Sequence, residues 1–350
     1  MEQKFDADKL IAFAQKVLEK VGLQSAAATV VARTLVEGDL MGHNTHGLQL
    51  LSAYVSELEA GKMSKKGEAI VLNDLGAAIT WDGNYLPGPW LVHQAMDLAF
   101  ERISQHPVVT VVIRRSHHIG CLAAYPERAT EKGLVMMLSC SDPNTRTVAP
   151  FGGVSPVYSP NPLAMGIPTA TEPIIFDVSM SATANGYVNR AKEEGRKLPH
   201  PWLLENSGSV TDNPAAFFDS PPATILPIGG LDSGYKGFAL GLMIEALTSA
   251  LGGHGRADEP GRWGANVFLQ IINPGAFGGL ASFQREMEYL SDQCIASERR
   301  EEASEVRLPG RRALKLRNQQ RETGLELYPG IIPALQNLAA KYQIPLPTPL

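Results

Sequence analysis

Two short segments hold half of this chain's imidazoles. "GHNTHG" carries His43 and His46, "RRSHHIG" carries His117 and His118, and the chain has 8 histidines in all. Side chains that titrate near neutrality serve either as metal ligands or as proton-transfer groups. Zinc ligation fits poorly. The side chains of an adjacent pair diverge on a strand and on a helix alike, HExxH is absent, and no acidic residue stands at a ligand-like spacing. No metal is therefore expected. Position favours proton transfer. His117 and His118 follow the β-forming run "VVTVVI" and precede Gly120, and "NTHG" sits at a helix junction. Asp177, in "IIFDVSMS", ends another apolar strand, where α/β sheets build their sites. Two readings stay open for it: a carboxylate that orients a histidine by accepting its second N–H, or an N-cap for the following segment.

A second kind of chemistry is suggested by "GGLDSGYKG", Gly229 to Gly237. It has the glycine spacing of a phosphate loop, but Tyr235 precedes Lys236 and Gly237 replaces the hydroxyl residue that would hold Mg²⁺. NTP hydrolysis is not expected. Lys236 at a glycine-rich helix entry could still bind an anion, or it could be a surface lysine beside an ordinary turn. No GxGxxG follows a strand, so the standard dinucleotide fingerprint is missing.

The elements that must position these groups follow from pattern. The 350 residues are 44% hydrophobic and 19% charged, which suits a globular chain with a large core. A net charge of −5 without a basic run gives no support for nucleic-acid binding. Three cysteines and no CxxC predict reduced thiols and a cytoplasmic setting. The charged start "MEQKFDADKL" lacks the apolar core of a signal peptide. The longest apolar run, "GFALGLMIEALTSALGG", includes Glu245 and is too short to span a bilayer; it predicts a buried helix and no membrane association.

The first sixty residues predict three helices: one capped by Asp6, one starting at Ser25 and running to about Leu40, and one carrying Leu48 to Leu58 before Gly61. Strands are predicted at "EAIVLND", "AAITWDG", "VVTVVIR", "LVMMLSC", "PIIFDVSMS", "PATILPIGG" and "ANVFLQIINPGAFGG", with helices near Trp90–Ser104 and Cys121–Lys132. The Pro- and Gly-rich stretch from Ser141 to Thr169 predicts an ordered functional loop region. The last seventy residues predict charged helices. The expected fold is thus α/β: a mixed sheet with flanking helices, plus a helical layer drawn from both termini. The expected divisions are an N-terminal helical region (1–75), a central α/β domain (76–279) and C-terminal helices (280–350) packing with the N-terminal region.

Taken in order, "GDLMGHNTHGLQLLSAYV", "SHHIG", "VAPFGGVSPVYSPNPLAMGIP", "FDVSMS", "GYKGFALGLMIEAL" and "VFLQIINPGAFG" resemble the type-2 malate/L-lactate dehydrogenase family nearly end to end. The "GHNTHG" and "SHHIG" forms are most similar to its hydroxycarboxylate dehydrogenase subgroup. The family also includes a cyclic imine reductase. The resemblance implies a non-Rossmann fold that binds NAD or NADP, works as a homodimer, and interconverts 2-hydroxy and 2-oxo acids. It implies His46 as acid/base, His118 as a second active-site imidazole and Asp177 as the group that orients a histidine, with Thr45 beside the substrate. Ser141, Asn161, Pro162, Asp177, Val178, Ser179, Ser181, Lys236, Gly237, Pro309 and Gly310 would lie along the dinucleotide or substrate. An Asp177–His46 pair would raise the imidazole's pKa. Thr45 stands where serine is usual, Leu50 where many members carry an arginine for the substrate carboxylate, Tyr187 for a lysine, and Arg311 for a glutamate. Arg114 and Arg115 are either surface charges or replacements for that missing arginine.

Overall fold

The computed structural model describes residues 3–300 and 305–350; residues 1–2, which begin the N-terminal segment read above for a signal peptide, and 301–304, part of the predicted C-terminal helical stretch, lie outside them. The chain opens with β1 (Lys4–Phe5), α1 (Ala7–Lys20), α2 (Ser25–Leu40) and α3 (Leu51–Glu59). Asp6 caps α1 as predicted, its carboxylate accepting the Lys9 N–H at 2.9 Å. The apolar stripe of α1, Leu10, Phe13, Ala14, Val17 and Leu18, is fully buried.

Seven strands form the main sheet: β2 (Ile70–Asp74), β3 (Ala78–Asp82), β4 (Val108–Ser116), β5 (Val135–Ser141), β6 (Leu163–Ile167), β7 (Ile174–Val178) and β11 (Ala265–Ile272). Their order is β2-β3-β4-β11-β5-β6-β7, and only β3 and β4 run parallel. Helix α4 (Gly88–Arg102) makes that one crossover, since parallel neighbours cannot be joined by a hairpin. Strand β6 lies inside the stretch predicted as loop. Pro and Gly flank it closely, and the five residues of "LAMGI" alternate between buried and half-buried without a β-branched run. The predicted helix at Cys121–Lys132 is reduced to a 3-10 turn at Leu122–Ala124 and the single turn α5 (Glu127–Thr130), with Pro126 between them.

A smaller three-stranded sheet, β8 (Leu203–Leu204), β9 (Val210–Thr211) and β10 (Thr224–Ile225), joins α6 (Asn185–Glu193) around its own core of Val148, Tyr158, Val188, Leu203 and Ile225. Helix α7 (Gly230–Glu245), kinked at Ser233, continues as a π-helical segment through Ala250. It is not the buried helix that its composition predicts. Gly234, Gly237 and Gly241 face inward, Gly241 so closely against Tyr158 that a Cβ would come within 2.7 Å of the ring. Its outer face leaves Leu231 56% and Leu242 51% exposed. Helix α8 (Leu280–Ala296) reaches the β6–β7 turn, where Glu288 and Gln284 bind the backbone of Ala170 and Thr169. The chain ends with α9 (Arg311–Thr323), β12 (Leu325–Glu326) and α10 (Ile331–Tyr342). β12 pairs with β1, and residues from Leu325 to Ile344 share one core with α1, α2 and α3.

Candidate active site

The pairings make β3, β4, β5 and β7 run in the same direction, so their carboxyl ends meet at one sheet edge. β6 and β11 begin at that edge. A cavity of about 480 Å³ opens there, walled by His46, His118, Asn161, Asp177, Asn185 and Trp263 among others. This placement explains why residues far apart in sequence converge.

His46 comes from the turn after α2. That turn is fixed by Asp39, whose carboxylate accepts the Leu48 N–H at 2.7 Å. Gly47 packs so tightly on Asp39 that a Cβ there would come within 2.3 Å of it. The His46 ring lies near-parallel to that of His118, with centroids 5.8 Å apart, and its Nδ1 is 2.9 Å from the Thr45 hydroxyl. Burial holds its pKa below the usual value. Asp177 pulls the other way and is outweighed, so the expected upward shift is corrected.

His118 is fixed differently. Its Nδ1 accepts the Gly120 N–H at 3.2 Å and lies 2.8 Å from the Tyr54 hydroxyl. A backbone donor on Nδ1 leaves the proton of the neutral ring on Nε2. Burial, with His46 and His117 nearby, keeps the ring's pKa well below the ordinary value. The ring of Trp263 sits 4.9 Å away. His117 points into the core, fully buried, its Nε2 3.4 Å from Glu57.

Asp177 does not make the predicted bond to a catalytic imidazole. Its Oδ2 accepts the Ala123 N–H at 3.0 Å and lies 3.9 Å from the Cys121 sulfur. It caps the 3-10 turn at Leu122, in another part of the chain, and not the segment that follows it, as the N-cap reading had it. Its influence on His46 is through space.

The remaining predicted residues divide. Thr45, Asn161, Pro162 and Ser179 line the same cavity. Asn161 adopts φ 49° and donates through Nδ2 to Gly241 O at 3.1 Å and Glu245 Oε1 at 3.0 Å. Glu245, unexplained by the helical pattern, is paired with Arg256 at 2.7 Å. Val178, Pro309 and Gly310 line a neighbouring cavity of about 440 Å³, which shares His43 and Asp177 with the first. Ser141 and Ser181 are buried and their hydroxyls are already engaged, Ser141 with Thr248 at 2.8 Å and Ser181 with Thr183 O at 2.8 Å. Lys236 stands apart from both cavities. It lies on the exposed face of α7 just past the kink, its ammonium 5.8 Å from the Tyr235 ring centre, and lines neither cavity. Gly237 packs against the backbone of Ile228, where a Cβ would come within 2.4 Å.

Arg114 and Arg115 do not replace the missing arginine: both hold Asp82, at 3.0 and 2.6 Å. Leu50 lines the first cavity, and among the described residues no lysine or arginine does. Sequence reasoning missed Tyr54, Trp263, Asn185 and Arg312. Tyr54 reads as one more apolar position on α3, and only its hydroxyl signals a partner.

The sequence pattern of the malate/L-lactate dehydrogenase family matches residues 5–336. Hydroxycarboxylate dehydrogenase B of Escherichia coli K12 is 30% identical over 349 residues, covering 98% of this chain and 95% of its own. L-lactate dehydrogenase of Cupriavidus necator is 31% identical over 347 residues, covering 96% and 97%. Among solved structures, delta1-piperideine-2-carboxylate reductase of Pseudomonas syringae superposes with a TM-score of 0.83 at 28% identity, covering 96% of this chain and all of that one (100%). The chain belongs to the malate/L-lactate dehydrogenase family.

Proposed function

We propose that this protein is a cytoplasmic, NAD(P)-dependent 2-hydroxy acid dehydrogenase, with His46 as the proton-transfer group. One observation carries the reading: two parallel imidazoles, differently fixed, share one cavity at the sheet edge. The cavity walls suit a nicotinamide dinucleotide. Two adjoining spaces share His43 and Asp177, and the buried Asn185 Oδ1 has no partner, leaving an acceptor for an amide or hydroxyl donor. When bound, that cofactor supplies or takes the hydride.

The chain's own groups do the rest. His118, held neutral, donates through Nε2–H to the substrate oxygen and favours the charge that develops there. His46 gives that oxygen a proton in reduction and removes it in oxidation. The substrate carboxylate meets the N-terminus of α6, where Asn185 and Gly186 reach the cavity and no side chain caps the helix. Three of the observations fit a cyclic imine 2-carboxylate equally well, namely the anion site, the neutral donor and the acid. A relative named for that reduction shares the fold. Turnover followed at 340 nm with both cofactors, against a panel of 2-oxo acids and cyclic imines, separates the two; no turnover with any 2-oxo acid removes the leading reading.

NADP is the tighter cofactor in this reading. Arg312 lines the second cavity at the first turn of α9, while Arg311 turns to Glu172 at 3.9 Å. An exposed charge-assisted contact to a 2′-phosphate is worth about 1.5 kcal/mol, or roughly tenfold. Calorimetric titration of Arg312→Ala should show that loss for NADPH and little change for NADH. Equal losses for both would remove Arg312 from the choice.

The working unit is a homodimer. The outer face of α7, with Leu231, Tyr235 and Leu242 each more than half exposed, presents an apolar surface that a partner would cover. Sedimentation at micromolar concentration should give a dimer, and Leu242→Asp should shift it to monomer. A wild-type monomer would contradict this.

A further inference from the structure

We propose that His43, Cys121 and Asp177 form a site for a thiophilic divalent cation, Zn²⁺ above all, at the mouth shared by the two cavities. The three come from separate elements: the turn after α2, the residue before the 3-10 turn at Leu122, and the end of β7. One ligand atom of each lies within 4.8 Å of the others. Neither of the adjacent histidines belongs to this set, and His46 of the HxxH pair is outside it, which is why spacing along the chain does not reveal it.

The donor set suits zinc. Imidazole nitrogen, thiolate sulfur and carboxylate oxygen are its ordinary ligands, at about 2.0–2.3 Å. Those lengths put tetrahedral ligands roughly 3.5 Å apart, so the trio, within 4.8 Å of one another, draws together by roughly an ångström as it binds. Thiolate and carboxylate together balance the ion's charge; the Cys121 proton leaves to solvent as the sulfur–metal bond forms. Asp177 is already oriented by the Ala123 N–H on Oδ2, which leaves Oδ1 to ligate. All three residues line the larger cavity, so the fourth coordination position faces it. Three protein ligands with one open position describe an accessible site, not a closed structural one. His43 and Asp177 line both spaces, so a cation held by them intrudes on the room a dinucleotide would take. Its inhibitory consequence rests on the dehydrogenase reading; the binding itself does not.

The test uses the full chain after treatment with EDTA. Calorimetry should show one Zn²⁺ per chain. Co²⁺ should give the visible bands of a tetrahedral site and a thiolate charge-transfer band in the near ultraviolet. Cys121→Ala should abolish the charge-transfer band, and His43→Asn, at a half-buried position that tolerates change, should weaken Zn²⁺ by about tenfold or more. A charge-transfer band that survives in Cys121→Ala would assign the thiolate to Cys140, which lines the same cavity, or to the exposed Cys294, and overturn the proposal. Unchanged Zn²⁺ affinity in His43→Asn would do the same, even if Cys121→Ala failed to fold. With a turning-over 2-oxo acid, Zn²⁺ should compete with the dinucleotide. Metal binding as described without turnover on any substrate would uphold the site and reject the dehydrogenase reading.

Discussion

Replacing His46 by asparagine should lower kcat/KM about 10²–10⁴-fold in both directions, the usual yield of general acid–base catalysis, and leave dinucleotide affinity nearly unchanged. The pH profile carries the assignment. Reduction needs the imidazolium, so its kcat/KM should fall as pH rises through the His46 pKa. Oxidation needs the neutral ring, so its kcat/KM should rise over the same range and then level. Burial holds that pKa below 6.5, so both inflections belong on the acid side of the reference value. An inflection above it would mean that the Asp177 carboxylate dominates after all.

His118→Asn provides the contrast. His118 stays neutral because Gly120 donates to its Nδ1 and burial opposes the charge. Its loss should cost rate, on the order of 10²-fold for one missing oxyanion donor, without moving the inflection. If His118→Asn abolishes the pH dependence and His46→Asn does not, the proton donor is His118.

Much of this site is legible because α/β sheets build their sites at strand carboxyl ends, and strand ends are marked in sequence. "VVTVVI" before His118 and "IIF" before Asp177 place both at the carboxyl edge, and the structure puts them in one cavity. What pattern cannot supply is direction. Asp177 was read as a partner for a histidine, yet its carboxylate caps the turn at Leu122. That contact depends on how β7 docks beside a segment 54 residues earlier in the chain. Lys236 stands outside both cavities for a related reason. A glycine-rich helix entry predicts free N–H groups, but Gly234, Gly237 and Gly241 serve close packing and turn the lysine outward. The apolar run of α7 reads as buried because composition reports hydrophobicity, not which neighbour covers it. Strand β6 was hidden by the prolines on either side of it.

The sign of a buried group's pKa shift decides how pH acts on stability, and two groups here oppose each other. His117 is held neutral by burial, with Arg262 adding to it, and its pKa falls to about 3. The Glu57 carboxylate lies 3.4 Å from its Nε2, within ion-pair range, and burial outweighs it. Asp39 is pushed up to about 7 by burial, against the Leu48 N–H and the Arg190 charge. Below pH 6.5 the unfolded chain protonates His117 and the folded one does not, so its contribution to stability is lost as pH falls. Asp39 runs the other way: the folded chain keeps its proton between about pH 4 and 7 while the unfolded one releases it, so its contribution is lost as pH rises. His117→Gln should therefore flatten the decline in urea-unfolding free energy between pH 6.5 and 4, by about 3 kcal/mol across that range at roughly 1.4 kcal/mol per unit. Asp39→Asn, which keeps an acceptor for the Leu48 N–H, should steepen it by a similar amount. Curves for both variants that run parallel to the wild type would show that neither group titrates differently on folding. If the Asp39→Asn curve alone runs parallel to the wild type, Asp39 is ionised in the folded protein over that range, and the group that holds the His46 turn is a carboxylate within the field of Arg190.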